Sequence, residues 1–486
     1  MIEFRDVTFF YGEETAPSVD GVSLKIDKGE TVVLCGESGC GKSTMTRLIN
    51  GLIPHFHEGK LEGEVLYDGK RTMDMRLYEL SEHVGSVFQD PRTQFYNVES
   101  TVELAFGCEN LGVPPEEIEQ RITRTAKRFG LEELLDRNLF AMSGGEKQRI
   151  ACGSVDATNP ETLVLDEPSS NLDLFAIHDL AQVVQRWRDD GKTLVIAEHR
   201  IFYLIDLADR FIYIRDGRIE REFRPDELRT LSPEALEDLG LRAPDPWKLA
   251  PRAEARGSGE SLSLRSLKCI TRGRRRLSIP ELTLPRGEII AVIGRNGAGK
   301  TTLARTLCGL EKTGSGVLGI DGATHDIRKR RDLVYMVMQD VNHQLFTEDV
   351  ISELLLSMDG TDPDAEQKRA MEILRSLDLD DKSGRHPMSL SGGEQQRVAI
   401  GSAIAAGREI LILDEPTSGL DYKRMTQVAD YLTAMSADGK TVLVITHDIE
   451  LVLRCCSHAI YLVDGEVAQK SRMDETGAQQ LREFFE

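Results

Sequence analysis

The chain has 486 residues, of which 40% are hydrophobic and 29% are charged, and its formal net charge is −21. This composition is typical of a globular protein, and the length predicts about two to four domains. The acidic balance argues against non-specific nucleic-acid binding, which requires a basic face.

The apolar segments have the length of buried strands and not of membrane helices. No run approaches the roughly 18 apolar residues that a membrane helix needs, and the N-terminal "MIEFRDVTFF" lacks the pattern of a signal peptide. His55 and His57 have no further ligand pattern around them, so a loop is favoured over a metal site. Eight cysteines without CxxC spacing predict reduced thiols: Cys35, Cys40, Cys108, Cys152, Cys269, Cys308, Cys455 and Cys456.

The two halves of the chain repeat one another. "CGESGCGKST" recurs as "IGRNGAGKTT", "MSGGEKQRIA" as "LSGGEQQRVA", and "LVLDEPSSNLD" as "LILDEPTSGLD". The offset is 258 residues for the first pair and 248 for the other two. Because the order is kept throughout and the spacing is kept from Gln89 onward, with small length changes before it, the sequence predicts two related domains, at 1–235 and 261–486. The segment 236–260 between them is rich in Pro, Ala and Gly, which predicts a linker.

Within each half, apolar runs alternate with amphipathic helical stretches. An example is "LFAIHDLAQVVQRWRDDGK" followed by "TLVIAEH". This alternation predicts an α/β fold with a mainly parallel sheet. Between Gln89 and Ser143, and around "AEQKRAMEILRSLDL", the pattern becomes helical, which predicts a helical insertion in each core.

Gly36 to Ser43 and Gly294 to Thr301 both fit GxxxxGK[ST], after an apolar strand and before a helical pattern. Backbone N–H groups of such a loop surround phosphate oxygens, while the lysine bridges the β- and γ-phosphates and the hydroxyl binds Mg²⁺. The predicted nucleotide-binding residues are Gly36, Glu37, Ser38, Gly39, Cys40, Gly41, Lys42, Ser43 and Thr44 in the first half, and Gly294, Arg295, Asn296, Gly297, Ala298, Gly299, Lys300, Thr301 and Thr302 in the second.

Paired acids end a second apolar strand in each half. We assign Asp166 and Asp414 to the Mg²⁺ shell, and Glu167 and Glu415 to polarisation of the attacking water. A lone "DE" is usually a solvated turn, but two copies at matched positions favour the catalytic interpretation. A histidine follows each aspartate by 33 residues, and we assign both a place near the γ-phosphate, where imidazole binds phosphate and water together: His199 and His447.

With "SGGEKQR" and "SGGEQQR" added to these motifs, both halves resemble ATP-binding-cassette ATPase domains. The resemblance implies an antiparallel β subdomain beside each core, ATP and Mg²⁺ as ligands, and head-to-tail pairing of the halves. Gln89 and Gln339 would sense the γ-phosphate and join the metal shell, and Asp173 and Asp421 would link the sites. The signature residues would complete the opposite site: Ser391, Gly392 and Gly393 for Lys42, and Ser143, Gly144 and Gly145 for Lys300. Tyr11 matches the adenine-stacking aromatic, whereas Thr271 stands near that position in the second half.

The segments "VFQDPRTQFYN" and "VMQDVNHQLFT" carry a finer resemblance. With "AFGCENLG", the first is similar to the energy-coupling-factor (ECF) importers of vitamins, metals and other micronutrients. This resemblance implies an ATPase subunit on the inner face of the cell membrane, with an integral transmembrane subunit and a substrate-binding membrane subunit as partners. The partner-facing loops of the two halves differ from each other, as expected for two ATPase domains that contact one asymmetric membrane subunit.

Other classes of twin-cassette protein remain as alternatives. A soluble translation or ribosome factor shares the motifs but usually carries a longer charged linker and basic surfaces. A tandem sugar-importer ATPase would normally lose "GGEQQR" and a complete phosphate loop in its second half. A DNA-repair cassette ATPase would need zinc-spaced cysteines, which the sequence lacks.

Overall fold

A computed structural model describes residues 1–253, 261–271, 273–320, 322–360 and 362–485, apart from the side chains of residues 327 and 328. The chain divides into two units. The first comprises Met1–Pro246 and Gly419–Lys423, and the second comprises Trp247–Ser418 and Arg424–Glu486. Of the predicted linker, residues 254–260 lie outside the described residues.

The first unit contains two sheets and a set of helices. Its strands are β1 (Ile2–Tyr11), β2 (Val19–Ile26), β3 (Thr31–Cys35), β4 (Gly59–Tyr67), β5 (Lys70–Arg71), β6 (Val84–Val87), β7 (Thr162–Asp166), β8 (Thr193–Ala197), β9 (Arg210–Arg215) and β10 (Arg218–Phe223). Its helices are α1 (Lys42–Ile49), α2 (Leu52–His55), α3 (Leu77–Ser81), α4 (Ser100–Asn110), α5 (Pro115–Phe129), α6 (Gly144–Thr158), α7 (Leu174–Asp189), α8 (Pro225–Arg229) and α9 (Pro233–Leu239).

The core sheet of the first unit has the order β10-β9-β3-β8-β7-β6 and is parallel except at β10. Its central strands are continuous apolar runs because helices or sheet cover both of their faces. Successive side chains of β3 therefore enter different cores. Val33 packs with the α6 and α7 side, while Val32 and Leu34 pack against the antiparallel sheet β2-β1-β4-β5.

The second unit repeats this plan. Its strands are β11 (Ser261–Thr271), β12 (Arg274–Pro285), β13 (Ile289–Ile293), β14 (Gly314–Ile320), β15 (Ala323–His325), β16 (Val334–Val337), β17 (Ile410–Asp414), β18 (Thr441–Ile445), β19 (His458–Val463) and β20 (Glu466–Arg472). Its helices are α10 (Lys300–Leu307), α11 (Ile327–Leu333), α12 (Val350–Leu356), α13 (Pro363–Ser376), α14 (Gly392–Ala405), α15 (Tyr422–Ala437), α16 (Ile449–Cys455) and α17 (Glu475–Phe485).

The second core sheet has the order β16-β17-β18-β13-β19-β20, and the antiparallel sheet has the order β12-β11-β14-β15. The predicted α/β class is confirmed in both units, with a mainly parallel core, an antiparallel β subdomain and a helical subdomain. The helical insertions are α4 with α5, and α12 with α13. Among the residues described, no helix is both long and apolar enough to cross a bilayer.

The antiparallel sheets can be aligned residue by residue. Asp6 in β1 and Ser266 in β11 both take a positive φ at a bulge, at 48° and 52°. Ile2 pairs with Tyr67, and Leu262 pairs with Ile320, in each case just before an Asp-Gly dipeptide in the sequence. This register places Thr271 at the position of Tyr11.

Candidate active sites

The first phosphate loop connects the end of β3 to the start of α1. The ammonium of Lys42 is buried and donates to the carbonyls of Gly36 and Glu37, at 3.0 and 2.9 Å. A Cβ on Gly36 would lie 2.1 Å from the carbonyl oxygen of Ile214, and one on Gly41 would lie 2.5 Å from that of Ser18. Both glycines also take a positive φ, so a side chain is excluded on two grounds. The loop thus presents its backbone at a helix N-terminus, as phosphate binding requires.

The second loop is built in the same way between β13 and α10. Lys300 donates to the carbonyls of Gly294 and Arg295, at 2.7 and 3.2 Å. A Cβ on Gly294 would lie 2.5 Å from the carbonyl oxygen of Leu462. One difference is that His447 approaches the lysine directly, with Nε2 3.0 Å from Nζ. Both lysines are therefore held within their own loops by backbone carbonyls.

The predicted metal-binding residues meet in pairs. The hydroxyl of Ser43 donates to Asp166 at 2.8 Å, and that of Thr301 donates to Asp414 at 2.8 Å. Burial raises the pKa of Asp166 and Asp414, and these same hydroxyl hydrogen bonds oppose the rise. Each pair offers hard oxygen donors at the start of a phosphate-binding helix, which fits a hydrated Mg²⁺ ion.

Glu167 stands at the centre of a polar cluster just after β7. It accepts a hydrogen bond from Gln89 Nε2 at 2.8 Å, and its other oxygen lies 3.3 Å from His199 Nε2. Burial alone raises the pKa of Glu167, but the hydrogen bond and charge of His199 outweigh it and hold the pKa below its usual value. His199 Nε2 also lies 3.3 Å from the hydroxyl of Ser38. The structure therefore brings the first proposed base, histidine and glutamine together.

The second cluster is similar but less complete. His447 Nε2 lies 3.2 Å from Glu415, and the backbone N–H of His447 donates to the same carboxylate at 3.3 Å. Gln339 is exposed just beyond β16, and within the described ranges it forms no hydrogen bond with Glu415. Gln89 and Gln339 thus differ in this structure although they stand at equivalent positions.

The signature sequences begin helices of 15 and 14 residues, α6 and α14. Ser143 caps α6, with its N–H donating to Glu146 at 2.7 Å, and Ser391 N–H donates to Glu394 at 2.8 Å. Ser143, Gly144, Ser391 and Gly392 are exposed, and Gly145 and Gly393 are half-buried. These open helix N-termini can receive an anion. Their pairing with the phosphate loops stays a prediction.

Tyr11 lies beside the first turn of α1. Its hydroxyl is 3.3 Å from Thr44 Oγ1 and accepts a hydrogen bond from Arg47 at 3.0 Å. Its ring contacts Phe9 edge-on, with centroids 4.9 Å apart. Thr271, at the equivalent position, is exposed and carries no ring. An aromatic platform is thus built only into the first of the two described sites.

The two linking aspartates both lie at backbone N–H groups. Asp173 caps α7 by accepting from Ala176 N–H at 2.8 Å. Asp421 belongs to the segment Gly419–Lys423 of the first unit and accepts from Ser38 N–H at 2.8 Å. The second contact places a carboxylate on the phosphate loop of the first unit.

Sequence reasoning missed what orders the loop after Gln89. The side chain of Gln94 accepts from Phe88 N–H at 3.3 Å, and Gln344 accepts from Met338 N–H at 3.0 Å. Buried Glu103 accepts from Asn97 N–H at 2.8 Å, and buried Glu353 accepts from Thr347 N–H at 2.6 Å. The two glutamines are 250 residues apart, and so are the two glutamates, which is the offset that relates Gln89 to Gln339. This shared offset is the sequence signal that could have identified them.

Known proteins match the chain over nearly its whole length. The family model described as "ABC transporter" matches residues 19–170 and again 277–418. A "Putative ABC transporter ATP-binding protein" of Treponema denticola is 41% identical over 478 residues, covering 97% of each chain. A second protein of that description from the same organism is 37% identical and covers 100% of this chain and 99% of its own. Another, from Methanosarcina mazei, is 33% identical and covers 96% and 88%.

Among solved structures, a "Model of ribosome-bound archaeal Pelota and ABCE1" aligns with a TM-score of 0.71 at 23% identity, covering 99% of this chain and 80% of that one. At that identity the likeness establishes the twin-cassette fold alone. The matched segments contain both phosphate loops, both acidic pairs and both signature helices. The chain is therefore an ATP-binding ATPase of the ATP-binding-cassette (ABC) transporter family, with one cassette in each half.

Proposed function

We propose that the chain is the ATPase subunit of an ECF-type importer of vitamins, metals or other micronutrients. It would drive a separate integral transmembrane subunit, which works with a substrate-binding membrane subunit, from the inner face of the cell membrane. Two observations support this assignment: the transporter descriptions of relatives that span the chain, and the ECF-like segment that follows Gln89.

The observation that carries the proposal is a groove in the first unit. It has a volume of about 400 Å³ and lies among α3, the loop after β6, α4 and α6. Tyr96 and Phe106 stack along it with centroids 4.9 Å apart, and Tyr96 is 79% exposed. Tyr78, also on the groove, is 56% exposed. Exposed aromatics lining a concave surface are typical of a site for an amphipathic helix. We assign this groove to a cytoplasmic helix of the transmembrane subunit.

The loop that lines this groove also reaches the proposed catalytic site of the first unit. Phe88 and Gln94 both line the groove and hydrogen-bond to each other, and the next residue, Gln89, donates to Glu167. A helix that shifts this loop would therefore change the position of Gln89 relative to Glu167. Through this loop, movement of the transmembrane subunit would alter the residues proposed to hydrolyse ATP.

We further propose the following roles at the two sites. Ser43, Gln89 and Asp166 would hold Mg²⁺ at one site, and Thr301, Gln339 and Asp414 would hold it at the other. Bound Mg²⁺ supplies charge neutralisation on the β- and γ-phosphates. Glu167 and Glu415 orient and deprotonate the attacking water, and His199 and His447 position it beside the γ-phosphate. The two halves pair head-to-tail, so that each signature helix caps the phosphate loop of the other half.

Purification of the full chain from its own membranes tests the importer assignment. The expected result is co-purification of an integral membrane protein, and loss of that protein from a Tyr96→Ala variant. Phe140→Ala is the matched control, because Phe140 is 71% exposed but lies outside the groove. Recovery with ribosomes and with no membrane protein would instead support the soluble translation factor and refute the proposal.

A further inference from the structure

The charge of the chain is distributed very unevenly. Residues 261–333 hold fifteen of the 60 lysines and arginines but only six of the 81 acids. The matching stretch of the first half, 1–83, holds nine basic and fifteen acidic residues. The stretch 261–333, here called the basic lobe, is therefore basic in an acidic protein, while the matching stretch of the first half is acidic.

Some of these cations share the outer face of the antiparallel sheet in the second unit. The core of the second unit contains Leu264, Leu267 and Cys269. Because a bulge at Ser266 adds one residue to the alternation, Arg265 and Lys268 are both exposed on the opposite face of β11. Within the part of the chain that the structure describes, Lys268 forms no ion pair, and Arg265 forms one exposed pair, with Glu281 at 3.7 Å. The charge of Lys268 is available to an external anion, and that of Arg265 is only weakly held by its exposed partner.

Comparison with the first unit shows which substitutions produced this face. Arg265 pairs with Val317 and Lys268 with Ser315, whereas Arg5 pairs with Glu64 and Thr8 with Glu62. On the neighbouring strand, residues 274–276 are all arginine where the first half has Ala-Pro-Ser. Of these arginines, Arg275 pairs with Ile270 and shares the outer face, whereas Arg274 pairs with Thr271 on the opposite face. The outer face of the second unit thus lacks the two glutamates of the first and carries Lys268 in addition, while Glu281 stands opposite Arg265.

Exposed aliphatic side chains lie on the same lobe. Ile270 is 52% exposed and follows Lys268 on the outer face of β11, and Val317 is 36% exposed opposite Arg265. Leu310 is 45% exposed in the turn that leads to Lys312. A surface that combines cations with exposed aliphatics matches the boundary between lipid headgroups and acyl chains.

Residues 261–333 contain no Phe, Trp or Tyr. Proteins that bind single-stranded nucleic acid stack its bases on aromatic side chains as well as neutralising its phosphates. The basic lobe offers no such platform, which favours a lipid surface over a nucleic acid as its anionic partner.

We propose that the outer face of the antiparallel sheet in the second unit, around Arg265, Lys268, Ile270 and Val317, binds the anionic phospholipid surface of a membrane. This contact is made directly with lipid and needs no membrane protein. It is therefore independent of the groove in the first unit and of the identity of the transporter.

Sedimentation of the purified full chain with vesicles tests the proposal. The chain is expected to bind phosphatidylcholine vesicles that contain phosphatidylglycerol, to bind pure phosphatidylcholine much less, and to dissociate as salt rises. Arg265→Glu with Lys268→Glu is expected to weaken binding by at least about 25-fold, at about fivefold for each cation lost. Val317→Glu, which installs the residue type of Glu64, is expected to weaken it without altering ATP binding.

Arg5→Glu with Lys60→Glu is the charge-matched control. Both residues are exposed on the equivalent sheet of the first unit, so the net charge changes equally while the basic lobe stays intact. An equal loss in this control would overturn the proposal, because binding would then follow net charge. Failure of the unmodified chain to bind anionic vesicles at low salt would overturn it as well, as would binding to single-stranded RNA in place of vesicles. Because the vesicles contain no protein, none of these results depends on the importer assignment.

Discussion

At the residue scale, the two proposed bases share an unusual backbone conformation. Glu167 and Glu415 have φ values of 44° and 50°, in the left-handed region that non-glycine residues rarely adopt. Their N–H groups are fixed by the carbonyls of Ala197 and Ile445, each at 2.8 Å. Such conformations cost about 1–3 kcal/mol and concentrate at functional sites. The same outlier in both units supports a shared catalytic role for these two residues.

Glu167→Gln and Glu415→Gln are each expected to retain ATP binding and to slow turnover at their own site by about 10²- to 10⁴-fold. The amide keeps the shape of the side chain but cannot accept a proton. Single-turnover hydrolysis and nucleotide binding, measured on the same preparations, check this expectation. Glu161→Gln, an exposed change just before β7, serves as the control. Full turnover in both variants would show that Glu167 and Glu415 are not the general bases.

The hydrogen bond between His199 and Glu167 leads to a prediction about pH. His199 is the main influence that lowers the pKa of Glu167 against the effect of burial. His199→Ala should therefore raise this pKa, and the acid limb of the rate profile of the first site should move to higher pH. A Glu415→Gln background isolates this site. His178→Ala, at an exposed position on α7, should leave the limb in place, and an unmoved limb in His199→Ala would contradict the prediction.

At the scale of elements, buried carboxylates order the loops after β6 and β16. Glu103 accepts hydrogen bonds from the N–H groups of Tyr96 and Asn97 and from the side-chain amide of Asn97. Glu103→Ala leaves these donors without their acceptor, which should lower the free energy of unfolding of the first unit by about 2 kcal/mol. Urea denaturation measures this loss. Glu99→Ala, an exposed change beside α4, should have little effect, and equal stability of the two variants would contradict the assignment.

The capping box of α14 gives a second prediction at this scale. Burial opposes ionisation of Glu394, but contacts with Lys382 and Ser391 prevail and lower its pKa to about 2, from 4.5. Because the folded-state pKa is depressed, the stabilisation is fully present above pH 4.5 and is lost as the pH falls towards 2.

Glu394→Gln should therefore reduce stability at neutral pH by about 1 kcal/mol, and less as the solution becomes acidic. Thermal unfolding across this pH range checks the trend, with Glu372→Gln at an exposed position on α13 as the control. A difference that stays constant with pH would show that ionisation of Glu394 does not carry the effect.

At the scale of the whole molecule, the sequence predicted the parts that depend on local pattern. "TVVLC" and "IIAVI" coincide with β3 and β13, since a strand covered on both faces must be continuously apolar. The spacing of the repeats also located both lysines and both acidic pairs. Side-chain hydrogen bonds across a loop leave no periodic pattern, so the shared offset of 250 could mark Gln94 and Glu103 as a repeated pair but could not reveal what they bond to.

Composition was a weaker guide at the predicted linker. Segment 236–260 begins inside α9, and Leu236 and Leu241 are buried in the core of the first unit. The Pro-rich composition does not reveal this packing, because two apolar side chains are too few to show a period. The domain boundaries themselves stay a prediction.

The number of ATP molecules bound per chain is the most direct test of whether each half carries a complete ATP site. In the Glu167→Gln, Glu415→Gln double variant with Mg²⁺, equilibrium dialysis should show two ATP bound per chain. Adding Lys42→Ala or Lys300→Ala should remove one ATP each, because each lysine serves one loop. The double variant could bind only one ATP, or could lose both ATP molecules when a single lysine is changed. Either result would contradict the assignment of one complete ATP site to each half.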